Sequence, residues 1–123
     1  MSDIMGVLLN GVAQLEYDRR KPLPDHQAVY LEKMDAKMDE GIQLEGKNIP
    51  SPDINDRAQF IAANLLHAIK NNDEAMAAAH CTYLANRLPD LKQIKFEEQN
   101  GEVSIELVFD EAYQKQVPVQ LIH

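Results

Sequence analysis

From Leu91 onward the apolar residues stop recurring every three or four positions and begin to alternate, and the change pivots on one dipeptide. Asn100-Gly101 is the pair that a two-residue hairpin turn demands, because both turn residues must accept positive φ. Pairing outward from it sets Gln99 opposite Glu102 and Glu98 opposite Val103. Phe96 then meets Ile105 and Ile94 meets Leu107 on one face. Lys95 meets Glu106 on the other face, a favourable cross-strand charge pair. An antiparallel β-hairpin is therefore predicted after Leu91. Val117, Val119 and Leu121 alternate too, and suit a third strand at a sheet edge, since Pro118 cannot donate to a ladder.

Upstream the period is helical. Ile4, Leu8, Val12 and Leu15 recur at three- and four-residue steps, which predicts a first helix over residues 3–18, capped by Ser2 and closed by Pro22 and Pro24. Gly6 and Gly11 weaken such a helix, and one account of them is close backbone approach across a homodimer. A second helix is expected from Pro24-Asp25 to Gly41, with Ala28, Leu31, Met34, Met38 and Ile42 as its apolar stripe. Residues 43–53, with one glycine and two prolines, read as a loop. A third helix is expected from about Asp53 to Lys70, apolar over most of its circumference and hence central. After Asn71-Asn72, Asp73 caps a fourth helix that runs to about Leu88, before Pro89. Its small residues Ala75, Ala78, Ala79, Thr82 and Ala85 suit close packing on the third, as an αα-hairpin. The predicted class is α+β: about four helices over residues 1–90, then the hairpin and a strand or tail over 91–123. A chain of 123 residues suits one domain.

Charge narrows the partners. Twenty acidic against 12 basic side chains give a net charge of −8, which argues against nucleic acid, whose phosphates need clustered Lys and Arg. The acidity is spread along the chain and forms no block. Met1-Ser2-Asp3 lacks the positive segment of a secretory signal, and no apolar run approaches the ~20 residues of a membrane span, so a cytoplasmic protein that does not engage membranes is expected. The single cysteine, Cys81, excludes an intramolecular disulfide and a multi-thiolate zinc site.

Motifs of known chemistry are lacking. The glycines at 6, 11, 41, 46 and 101 form no phosphate loop, and there is no nucleophile elbow, zinc helix or calcium loop. No metal and no cofactor is expected. Arg57, Asn64, His67 and Asn71 fall at spacings that build a polar stripe on the third helix, a partner-facing edge or a ligand site. His26 and the terminal His123 read as solvated. His80 and Cys81 are adjacent on the fourth helix and point about 100° apart, so they do not act on one centre. Cys81 shares a face with Ala77, Leu84 and Leu88 and reads as a buried small hydrophobe, the alternative being a reactive thiol paired with His67. Glu32, Asp35 and Asp39 make an acidic stripe on the second helix, a candidate interaction face. Met34 and Met38 suit core filling or an adaptable groove.

Three readings follow, in this order. The first is a non-catalytic protein–protein interaction or accessory module with an unspecified protein partner, as a homodimer in one version. The second is an acidic decoy or inhibitor of a basic, nucleic-acid-binding site. The third is a small enzyme or ligand-binding domain using His67 and Cys81.

Overall fold

The computed structural model of the chain describes residues 3–114. In order, the elements are β1 (Ile4–Leu9), β2 (Val12–Asp18), α1 (Asp25–Asp39), β3 (Ile42–Leu44), β4 (Lys47–Ile49), α2 (Ile54–Lys70), α3 (Glu74–Arg87), β5 (Gln93–Gln99) and β6 (Glu102–Val108). The described residues thus hold three helices and six strands, with strands at both ends, and the prediction of four helices followed by a hairpin is overturned.

The overturned element is the first. Residues 3–18 form a β-hairpin, not a helix, because Asn10-Gly11 is the same turn dipeptide as Asn100-Gly101. Asn10 has φ 50° and Gly11 φ 82°, against 55° and 81° at Asn100 and Gly101. That geometry excludes a continuous helix through the pair. The expected loop at 43–53 also holds structure. Glu45 and Gly46, at φ 52° and 79°, turn the short β3–β4 hairpin.

The larger sheet has the order β2-β1-β5-β6. β1 runs antiparallel to β2, with a register shift between Val7 and Leu8, and parallel to β5, where Gly6 pairs with Gln93 and Leu9 with Phe96. β5 and β6 are antiparallel, with Phe96 opposite Ile105, Lys95 opposite Glu106 and Gln99 opposite Glu102, the register read from the Asn-Gly turn. The candidate third strand at Val117, Val119 and Leu121 lies outside the described residues, as do Ser2 and His123.

One face of this sheet carries the core. Met5 and Val7 of β1 and Ile94 and Phe96 of β5 pack with Leu31 and Met38 of α1, Ile61 and Leu65 of α2, and Leu84 of α3. Alternation places their neighbours Gly6, Gln93 and Lys95 on the opposite face, where Tyr113 is seated on Gly6.

The helices start where the chain supplies a cap. Asp53 accepts from the Asp56 amide at 2.8 Å while Asp56 accepts from the Asp53 amide at 3.1 Å, a reciprocal box that starts α2. Asp73 accepts from the Met76 amide at 3.1 Å and starts α3. At the other end of α3, the Arg19 guanidinium donates to the carbonyls of Ala85, Leu88 and Leu91, a cation placed where the helix leaves acceptors unpaired. No helix among the described residues is long and apolar enough to cross a membrane.

Candidate functional site

Two groups of side chains were open to a functional role: the acidic stripe of α1 and the polar stripe of α2. They end in different places. Arg57 leaves its own stripe and reaches to α1, where Nη1 donates to the Asp35 carbonyl at 3.2 Å and Nη2 to Asp39 Oδ1 at 2.5 Å. Arg87 Nε donates to Asp35 Oδ2 at 2.9 Å, and the Tyr83 hydroxyl donates to Asp35 Oδ1 at 2.5 Å. The Arg87 guanidinium lies 5.6 Å from the centre of the Tyr83 ring, within cation–π range. Asp35 is therefore the hub of a network that ties α1 to α2 and α3. Burial works to raise its carboxyl. The Tyr83 and Arg87 hydrogen bonds and the charges of Arg87 and Arg57 outweigh that and hold it below the ordinary value. The Tyr83 phenol is driven upward by burial, then by its bond to Asp35 and the charge there. Of the acidic stripe, Asp35 and Asp39 are consumed in these pairs and Glu32 is left exposed.

The rest of the polar stripe lines a groove. Asn64 and His67 of α2 and Asn71 at its C-terminal cap line a cavity of about 520 Å³ bordered by α1, the start of β3, and the first turns of α3. Its walls are apolar, with Met34, Met38, Phe60, Ile61 and Met76 among them, and Tyr30 at its side. Tyr30 and Met76 are 42% and 40% exposed, large apolar groups left at the surface. Volumes of roughly 300–1,000 Å³ with apolar walls and a few converging polar groups are typical of ligand sites.

His80 supplies the deepest polar group. It is 7% exposed, and its Nδ1 lies 2.8 Å from the Met76 carbonyl one turn earlier. A carbonyl only accepts, so Nδ1 carries a proton, and in the neutral ring Nε2 is the acceptor. Among the described residues, no fully buried side-chain nitrogen or oxygen lacks a partner. Nε2 makes no hydrogen bond there, so it is reachable from outside, on a residue that lines the groove. His67 is fixed differently. Asn71 Nδ2 donates to the His67 carbonyl at 3.0 Å and to Nε2 at 2.9 Å, which leaves the proton on Nδ1. The Asn64 amide and the Lys37 ammonium, both lining the groove, are unpaired among the described residues.

Cys81 stands apart from this groove. It is 4% exposed, and its thiol is pushed up to about 12 by burial, with the Arg19 charge pulling slightly the other way. Its neighbour His80 turns into the groove instead, as a separation of about 100° on a helix requires. Sequence reasoning set His80 aside as no partner for Cys81. The signal that would have found it is its four-residue spacing from Met76, the neighbouring position on the same helix face.

The small face of α3 is also placed by the structure. Ala75, Ala78, Ala79 and Thr82 line a cleft shared with α1, beside His26 and Tyr30, while α3 packs on α2 as the expected αα-hairpin. Gly6 does make a close backbone approach, but to the ring of Tyr113 in the same chain, and Gly11 is a turn residue. Among the described residues no cluster of three or more His, Cys, Asp or Glu could hold a metal ion. Comparison with protein-family models, with curated proteins and with solved structures finds no match to this chain.

Proposed function

We infer that the protein is a non-catalytic binding module and that its contact surface is the groove between α1, α2 and α3. One observation carries the reading: His80, Asn64 and Lys37, each with a polar group unpaired among the described residues, line a cavity walled by methionines and Phe60. Elsewhere the polar side chains of the two stripes are spent on structure, as at Asp35, Asp39 and Arg57. The thiol that would serve a covalent mechanism is buried and protonated. The decoy reading loses two of its three carboxylates to ion pairs, and the dimer reading loses the glycines that suggested it.

The five methionines provide the test. Met34, Met38 and Met76 line the groove, whereas Met5 is fully buried in the core and serves as an internal control. With ε-methyl-labelled methionine, a mixed fragment set of acids, amines, phenols and short peptides should shift the three groove methyls and leave Met5 in place. A set in which no fragment moves them, or in which shifts scatter over the surface, would overturn the reading.

A further inference from the structure

We propose that the groove takes a small, neutral, ring-containing molecule bearing one hydroxyl, which donates to His80 Nε2. The proposal rests on the groove being the binding surface and adds the chemistry of its occupant. The floor sets the first requirement. His80 is more than nine-tenths buried, its Nδ1 proton is committed to the Met76 carbonyl, and Nε2, the acceptor of the neutral ring, is unpaired among the described residues on a residue that lines the cavity. A group that accepts but does not donate meets a lone pair there and is rejected. Leaving a buried acceptor unpaired costs more than the bond returns, which makes such a group a strong discriminator.

Charge sets the second requirement. Lys37 and Asp73 both line the groove, and Asp73 already accepts from the Met76 amide at 3.1 Å. Lys37 and Asp73 are both exposed, so their charges are solvated and screened. An ion moved from water onto the apolar walls pays a desolvation cost that such rim charges do not repay in full, which favours a neutral donor. The walls set the third requirement, because thioethers make favourable contacts with aromatic ring edges. Met34, Met38 and Met76 stand with Phe60 and Tyr30 around the space. A substituted phenol satisfies all three conditions, and the Asn64 amide, unpaired among the described residues, supplies a second polar contact beside it.

The test compares 4-propylphenol with 4-propylanisole, which keeps the ring and chain but lacks the hydroxyl proton. Binding is followed by titration of the methionine methyls in the intact chain. The phenol should shift Met34, Met38 and Met76 and bind about tenfold more tightly than the ether, the worth of one buried hydrogen bond. The preference should vanish in His80→Phe, which keeps a ring but has no acceptor. If that variant fails to fold, the two-ligand comparison on the unaltered chain still decides. Equal binding of phenol and ether would overturn the proposal while leaving the groove as the contact surface. So would tighter binding of 4-propylbenzoate or 4-propylbenzylamine. If none of these probes moves the groove methyls, or if the methyls shift with protein concentration alone because a second copy covers them, the proposal falls, and the mixed fragment set decides the reading of the groove separately.

Discussion

The ring of Tyr113 rests directly on the backbone of Gly6: a Cβ built there would stand 2.1 Å from Tyr113 Cδ1 and 2.4 Å from Cγ. The Tyr113 hydroxyl donates to Glu16 Oε2 at 2.6 Å, so the segment after β6 is pinned across β1 to β2. Gly6 does not have positive φ, so alanine is permitted by the backbone and excluded only by the ring.

Gly6→Ala should therefore destabilise the chain by about 1–3 kcal/mol, the usual cost of overpacking. Urea denaturation measures it. In a Tyr113→Ala background the same substitution should cost much less, since neighbours that share a contact are not additive. Equal costs in both backgrounds would show that the ring is not what the glycine accommodates.

The Asp35 network makes a graded series. Tyr83→Phe deletes one hydrogen bond and should cost about 1–2 kcal/mol. Asp35→Ala removes the acceptor for Tyr83 and Arg87 together and should cost more, because it leaves a buried hydroxyl and a half-buried cation without their partner. Thermal unfolding of the two variants that ranked them in the opposite order would remove Asp35 from the centre of the network.

The same carboxylate sets the acid limit. Its folded value lies below the ordinary 3.8, so the unfolded chain takes up its proton first as the pH falls. The stability it contributes is complete above that ordinary value and is lost as the pH drops through the lower, folded one. Asp18, hydrogen-bonded by Arg20 and lowered to about 2, follows the same sign. Denaturation midpoints should hold from pH 7 to 5 with respect to these groups and fall from about 4 toward 2. Asp35→Asn should start lower and fall less steeply. An undiminished acid slope in that variant would contradict the assignment.

Cys81 should be inert to thiol reagents in the folded chain at pH 8 and fully reactive in urea, because burial keeps it protonated and covered. A native-state labelling rate matching that of a free thiol would refute its placement in the core.

Legibility in the sequence was uneven for a physical reason. The β5–β6 register was readable because strand alternation and the Asn100-Gly101 turn agree. At the other end the same turn signal, Asn10-Gly11, competed with apolar residues spaced at three and four. β1 is a central strand, flanked by β2 and β5, and its register shifts between Val7 and Leu8. Met5, Val7 and Leu8 are all buried, so alternation gives way to a continuous apolar run that mimics one face of a helix. The helices α1, α2 and α3 were visible because each combines an N-terminal Pro or Asp with a helical apolar stripe. The groove was half legible. Asn64 and His67 belong to it as a stripe on one helix, but Arg57 was drawn away by carboxylates on α1 that no local spacing reveals.

The parallel ladder that joins Gly6 to Gln93 has a bearing on how the chain is made. The N-terminal hairpin can close as soon as β2 has left the ribosome. The second edge of β1 then waits, through the synthesis of α1, α2 and α3, for β5 to arrive. Pairings this distant in sequence form late and slowly. Until then an apolar strand stands with its hydrogen-bonding groups uncovered. The nascent chain is thus most prone to self-association before residue 93 is added, and truncations that end short of β5 should aggregate where the whole chain does not.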